Sequence, residues 1–313
     1  MYPRLLFLFS KAYNIKKRFY MIINLDNIYT YNSLLNKSLY IAKLYPQLIK
    51  VTHIGTSNDN RIIFMVKVGK GNRGPVFVAG VHGREIINPT VMLSLIERLS
   101  HRYYSYGEKL LDKYALYFIP LLNPDGYTIA MEGYYAINDK ILRNNCRRCN
   151  IPYKEYKFNG DGVDINRNFM SKSFTFTKNS GLPDNEPETM AFINVCEQND
   201  FMGMIDFHSR GNSIFYYRSA MVYEYNRKQF DIACRLSKLT GYSLYTPQEE
   251  NPDNLSGGNT VNFFSERYLL PAITIETVED EATFPLEASH CMRVYNELKN
   301  VPLEFLRMLI YLH

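Results

Sequence analysis

Four short apolar runs, at 75–81, 114–122, 202–207 and 271–275, constrain this 313-residue chain more than any other feature. Each is too short for a buried helix and stops at a polar residue, and 75–81 in particular is continuously apolar, which is the pattern of a buried strand. Between and around them lie segments with helical apolar spacing, at 30–44, 89–100, 186–198, 227–239 and 259–268. A last one, 289–312, is interrupted near Pro302. Residues 48–55 and 61–68 alternate around Ser57-Asn58-Asp59-Asn60 and predict a hairpin. Strands alternating with helices predict one α/β domain: a mixed, mostly parallel central sheet with helices on both faces. No linker or repeat divides the chain. The polar, Asn- and Gly-rich stretch 132–185 is predicted to be a long loop region.

The formal charge of +5 suggests an acidic partner until it is located. Arg4, Lys11, Lys16, Lys17 and Arg18 account for the whole excess, and residues 1–20 contain no acid. The remainder carries 31 basic and 31 acidic residues. The expected organisation is therefore a dispensable basic leader, 1–20, and a balanced domain, 21–313, with Met21 a candidate natural start. A membrane-associating leader and an export signal are the alternatives. The apolar run from Leu5 to Phe9 is shorter than the roughly 7–15 residues of an export signal. No run reaches the ~20 apolar residues of a membrane span. Arg147-Arg148 is an isolated pair, so nucleic-acid binding finds no support. Five scattered cysteines, an odd number, fit a reducing compartment and favour a cytoplasmic protein, with export by the leader as the other case. The pair Cys146 and Cys149 lacks a second CxxC and reads as incidental thiols.

Ligands of open α/β sheets gather at the carboxyl ends of the strands. The residues just beyond the four apolar runs are His82-Gly83-Arg84-Glu85, Asn123-Pro124-Asp125-Gly126, His208-Ser209 and Glu276. His-x-x-Glu on a strand-to-helix turn, joined by a distant His at a second strand end, suits a catalytic zinc, which takes three protein ligands and keeps one position open. His82, Glu85 and His208 are the candidate ligands. Glu276, at the same sheet edge, can serve as a general base. Asn166-Arg167 offers donors in a fork suited to a carboxylate, and Arg143 a guanidinium suited to an oxyanion. Read in isolation, each of these last two is a solvated loop sooner than a binding group.

In their order, these motifs resemble the zinc carboxypeptidase family of the carboxypeptidase A type. The pieces are His82-Gly83-Arg84-Glu85, Asn123-Pro124-Asp125-Gly126, Arg143, the stretch from Gly162 to Phe169, Asp206-Phe207-His208-Ser209, Ser256-Gly257-Gly258 and Thr274-Ile275-Glu276. The resemblance covers about 30 to 285 and is greatest to bacterial γ-D-glutamyl-diaminopimelate peptidase members. It implies one zinc ion held by His82, Glu85 and His208, with Asp164 orienting His82 from behind. It implies that Arg143 polarises the scissile carbonyl, that Asn166 and Arg167 grip a terminal carboxylate, and that Glu276 is general base and then general acid toward zinc-activated water. The substrate implied is a peptide or a peptidoglycan-derived peptide, cut near a free carboxylate; the oligomeric state is left open. Two alternatives keep the fold: an amidohydrolase or deacylase of small N-acyl amino acids, and a non-catalytic binding module. One departure concerns the tyrosine that animal members carry three residues before Ser-Gly-Gly. Asp253 stands there, and Tyr245 is the nearest tyrosine upstream. The side-chain pocket floor falls near Thr260, which argues against a strict preference for basic C-terminal residues.

Overall fold

A computed structural model describes residues 21–245 and 257–312. The chain enters along α1 (Tyr31–Leu44), capped by the Thr30 hydroxyl, and forms the hairpin β1 (Ile49–Thr56) and β2 (Ile62–Val68). Then come β3 (Gly74–Ala79), the long α2 (Ile87–Tyr106), a single turn α3 (Leu110–Lys113), β4 (Leu116–Ile119) and α4 (Pro124–Glu132). After α5 (Lys140–Arg148) and α6 (Pro187–Gln198) come β5 (Phe201–Ser209), β6 (Ser213–Phe215), α7 (Tyr223–Thr240) and β7 (Ser243–Tyr245). The last elements are α8 (Thr260–Tyr268), β8 (Ala272–Thr277), α9 (Ser289–Leu298) and α10 (Val301–Leu312).

The eight strands make one sheet in the order β1-β2-β4-β3-β5-β8-β6-β7. The four central strands run parallel, and antiparallel pairs lie toward both sides. Side chains alternate across its central part as the period of two demands, with register shifts near the start of β5 and within β1. Phe77 and Ala79 of β3 and Phe207 of β5 face a core shared with α2, α7, α9 and α10. Val76 and Val78 of β3 and Met204 of β5 face the opposite core, built with α6 and α8. Both faces are therefore covered, which explains why the central runs are largely apolar. Glu97 of α2 ties down the start of the described chain, its two oxygens accepting from Ile22 N at 2.6 Å and Ile23 N at 3.0 Å.

Three expectations need correction. The region 132–185 is not one long loop: α5 forms there, capped by Asp139, and a small third core gathers Ile129, Ile137, Cys146, Tyr156 and Phe158. Only Ile141, Leu142 and Cys146 are apolar in α5, too few to show a helical stripe. Asn123-Pro124-Asp125-Gly126 is a helix start as well as a turn, with Asn123 as cap and Pro124 in the first turn of α4. The final helix breaks at Lys299 and Asn300, and Pro302 sits harmlessly in the first turn of α10. The expected leader, 1–20, lies outside the described residues.

A buried polar knot braces α6 against the hairpin. Asn159 Nδ2 lies 2.6 Å from Glu186 Oε2, 3.1 Å from Glu188 Oε2 and 3.1 Å from Asn58 Oδ1. Burial, reinforced by Asp125, pushes the Glu188 carboxyl up to about 8, and its Oε1 is buried without a donor. A carboxyl whose value rises on folding stabilises the fold below its ordinary value near 4.5 and loses that contribution as pH climbs toward 8. The thermal midpoint should therefore fall between pH 5 and 8 in the wild type more than in Glu188→Gln. Parallel melting curves across that range check it, and equal slopes would contradict it.

Candidate functional site

The site grows from the carboxyl ends of β3, β5 and β8. Because β5 and β8 are parallel and paired residue for residue, His208 stands directly beside Glu276, and Ser209 beside Thr277. Asn88 of α2 locks these ends: its Nδ2 donates to Ser209 Oγ at 3.1 Å, and its Oδ1 lies 2.9 Å from the Thr277 hydroxyl. The turn after β3 brings His82 and Glu85 to the same place. Its backbone is wedged against two other segments. A Cβ on Gly83 would lie 2.3 Å from the carbonyl of Gly126, and one on Gly126 would lie 2.1 Å from Phe158 O. Asn123 holds all three together, donating to Val81 O at 3.0 Å and Phe158 O at 3.1 Å while accepting from Gly126 N. These contacts explain why Gly is needed in both His82-Gly83-Arg84-Glu85 and Asn123-Pro124-Asp125-Gly126.

The two imidazoles meet at Glu85. His82 Nδ1 is 2.7 Å from Glu85 Oε1, and His208 Nδ1 is 3.1 Å from Glu85 Oε2. The ring centroids are 4.9 Å apart. Behind each ring sits a carboxylate: Asp164 Oδ1 is 3.4 Å from His82 Nε2, and Asp206 Oδ2 is 3.0 Å from His208 Nε2. A carboxylate behind each histidine is the usual support of a metal-bound imidazole, fixing its tautomer and aim. Asp206 and His208 share a face because they are two apart on one strand. Asp164 is placed by a 3₁₀ turn, Ile165–Arg167, which its own side chain caps. Asp164 thus faces His82; Asp206, which faces His208, was not singled out in the sequence, although the i, i+2 spacing was there to be read.

One donor atom from each of His82, Glu85 and His208 lies within 4.8 Å of the others, making this the one candidate metal cluster among the described residues. The donor chemistry fits a zinc ion. Four carboxylates, of Glu85, Asp164, Asp206 and Glu276, crowd two imidazoles in a largely buried volume. Oxygen Oε2 of Glu276 is buried without a hydrogen-bond donor. Such an enclosure is costly without a cation. Burial opposes the charged forms throughout. It nonetheless yields at Glu85, whose carboxyl the neighbouring His208 and His82 hold down at about 2. At Glu276 burial wins and holds the carboxyl up at about 8, against the pull of His208.

The cluster opens on a cavity of about 580 Å³. His82, Glu85 and Glu276 form its floor; Glu155, Lys157 and Arg84 line it, and Ser209, Arg210, Asp280, Thr283 and Phe284 complete it. The Arg84 guanidinium lies over the Phe284 ring at 4.4 Å, and Arg210 pairs with Asp280 at 2.8 Å.

The other residues singled out in the sequence lie elsewhere. Thr260 is fully buried and is no open pocket floor: its hydroxyl donates to Asp206 Oδ2, and its N–H to Asn166 Oδ1 at 3.2 Å. Asn166 is buried and Arg167 half-buried; Arg167 Nη1 donates to Asn166 O at 2.7 Å, and neither lines the described cavity. Arg143 does not line the cavity. Its Nε and Nη2 donate to Ile137 O at 3.0 and 2.6 Å, on its own side of α5. Asp253 and Ser256 lie outside the described residues, and Tyr245 stacks on Phe215 with centroids 4.2 Å apart. Cys146 is buried within the third core rather than in an exposed loop.

The fold and this constellation define a metallopeptidase-like α/β protein. The zinc carboxypeptidase (Peptidase_M14) family profile matches residues 37–299, and the chain belongs to that family. Gamma-D-glutamyl-L-diamino acid endopeptidase 1 of Lysinibacillus sphaericus is 23% identical over 298 residues, 88% of this chain and 72% of that one. The Saccharomyces cerevisiae protein named inactive metallocarboxypeptidase ECM14 is 27% identical over 213 residues, 62% of this chain and less than half, 46%, of that one. Bovine thrombin-activatable fibrinolysis inhibitor, solved in complex with tick carboxypeptidase inhibitor, shares the fold with a TM-score of 0.76. That match has 18% identity and covers 92% of this chain and 99% of the other.

The backbone wedge generates a prediction. Gly83→Ala should displace the His82–Glu85 turn or the Gly126 carbonyl, lowering stability by about 1–3 kcal/mol and weakening zinc uptake. Urea denaturation and metal titration of the purified variant check it; wild-type values in both would refute the wedge.

Proposed function

We propose that this chain is a zinc-dependent peptidase that hydrolyses an amide bond near a free carboxylate in a peptide, with cell-wall peptides as the substrate class. The carrying observation is the buried His82–Glu85–His208 cluster with Glu276 held beside His208 by strand register and a cavity opening above both. His82, Glu85 and His208 would hold the ion, with Asp164 and Asp206 aiming the two imidazoles. A zinc ion there supplies a Lewis acid for a carbonyl and lowers the pKa of water. Glu276 takes the proton of the water that attacks the scissile carbonyl and delivers it to the departing amide nitrogen, so the hydrolysis balances. By the resemblance alone, Asn166 and Arg167, which do not line that cavity, would receive the substrate carboxylate.

The cell-wall reading rests on two supports. The Lysinibacillus relative is named for a γ-D-glutamyl-L-diamino acid bond. The cavity mixes three cations, Arg84, Lys157 and Arg210, with the acids Glu155 and Asp280, which suits a short peptide bearing both carboxylates and an amine. All five cysteines are free, which favours a reducing compartment. No helix among the described residues is long and apolar enough to cross a membrane.

Chelation with EDTA should abolish hydrolysis and added zinc restore it. Glu276→Gln should keep its zinc and lose at least ~100-fold in kcat. Mass spectrometry of digests of D-Glu/diaminopimelate peptides, ordinary L-peptides and N-acyl amino acids reads the bond cut. Cleavage confined to N-acyl amino acids would make the protein a deacylase instead. Asp206→Asn should weaken zinc binding about 10–100-fold in a chelator competition; unchanged affinity would remove Asp206 from the site.

A further inference from the structure

We propose that Arg84 and Arg210, gathered on the Phe284 ring, read a second substrate carboxylate: the free α-carboxylate of a glutamyl residue whose side-chain carbonyl forms the scissile amide. The proposal deepens the peptidase reading above and rests on it.

Three cations line the cavity, and they differ in what holds them. Lys157 Nζ lies 2.6 Å from Asp164 Oδ2 and is engaged within the site. Arg210 Nη1 lies 2.8 Å from Asp280 Oδ1, but that acidic side chain is 81% exposed. An ion pair that faces water is weak and screened by salt, so Asp280 yields to a better-placed anion. Arg84 has no carboxylate partner among the described residues; its guanidinium rests over the Phe284 ring at 4.4 Å. The Nε atoms of Arg84 and Arg210 are both buried without a hydrogen-bond partner. Buried donors without acceptors call for an explanation, and an anionic ligand in the cavity supplies one.

The two guanidinium groups converge on one ring. Arg210 lies 6.0 Å from the Phe284 centroid, on which Arg84 also sits. The three residues come from different segments. Arg84 belongs to the turn that carries His82 and Glu85, Arg210 follows the end of β5 two residues after His208, and Phe284 lies beyond β8. The ring keeps water from part of each cation, which strengthens the pull on an anion. A planar guanidinium fork matches the two oxygens of a carboxylate.

The carboxylate concerned is not the terminal one, for which the resemblance offers Asn166 and Arg167, both off this cavity. A γ-linked glutamyl residue provides another. Its scissile carbonyl is the side-chain one, so its α-carboxylate stays free on the same residue. An alanyl or glycyl peptide has no charge at that place. Amidating the α-carboxylate, to give isoglutamine, removes the charge and keeps the shape.

The test gives zinc-loaded wild type two matched peptides, L-Ala-γ-D-Glu-diaminopimelate and its α-amidated D-isoglutamine counterpart, and measures kcat/KM for each. The wild type should prefer the acid by about 30-fold or more, the low end of the effect of losing a desolvated charge pair. The preference should shrink severalfold in Arg84→Met and in Arg210→Met and approach unity in the double variant. Arg84→Lys, which keeps the charge without the fork, should fall in between. Each preference is a ratio on one preparation, so a general loss of zinc or activity does not imitate it. A single variant that fails to fold by circular dichroism or to take up zinc leaves the decision to the other. A wild type that cleaves acid and amide equally, or a preference that survives both substitutions, would overturn the assignment. A wild type that cleaves ordinary L-peptides but is indifferent to the glutamyl charge overturns this role alone, whereas one that cleaves no amide at all overturns the peptidase reading and this role with it.

Discussion

The amide of Asn123 is the contact on which the site most depends. It donates to Val81 O and Phe158 O, and its oxygen caps α4 through Gly126 N. Three segments distant in sequence are thereby pressed backbone to backbone, close enough that only glycine fits at 83 and 126. The close approach costs side-chain volume and rotational freedom in the unfolded chain. It gives a turn rigid enough to present His82 and Glu85 at one point, and it seats Lys157 beside them. Buried carbonyls left without this amide would each carry a desolvation penalty of about 1–3 kcal/mol, so the node is costly to change.

The sheet supplies the other half of the geometry. Parallel pairing of β5 with β8 sets His208 next to Glu276, and the period of two puts Asp206 behind His208 on the same face. Three buried carboxylates and the half-buried one of Glu276 around two imidazoles would repel one another in an apolar surrounding. The protein meets that with hydrogen bonds at the rear, from Thr260 to Asp206 and from Lys157 to Asp164, and leaves the front to a cation.

The sheet was largely legible because its strands are buried on both faces and read as continuous apolar runs. The hairpin was visible from alternation around a turn signal, the helices over 30–44, 186–198 and 259–268 from their apolar spacing, and the reactive residues from their place just beyond the apolar runs. The short strands β6 and β7 were not, since three residues carry no period. The nine residues of α5 were hidden by a polar face around a few apolar contacts, and the cap signal at Asp139 was lost in an Asn-rich stretch. Thr260 appeared as a candidate pocket residue because position along the chain gives no burial; in the fold its hydroxyl serves Asp206. Arg143 looked like the cation of the site because it is an arginine in a suitable interval. A long side chain can point either way from a helix, and the carbonyls of Ile137 and Asn138 claimed it.

By itself the sequence determined an α/β domain, the family to which it belongs, and the His-Glu-His set with its nearby glutamate. Those follow from residue type and local period, which are properties of the chain. Tertiary structure alone decided which carboxylate backs which histidine, which cation shares the cavity, and which polar residues are walled into the core. These are distances between segments up to about two hundred residues apart. They are fixed by strand register and by the close backbone packing around Gly83, Gly126 and Asn123, and no local pattern encodes them.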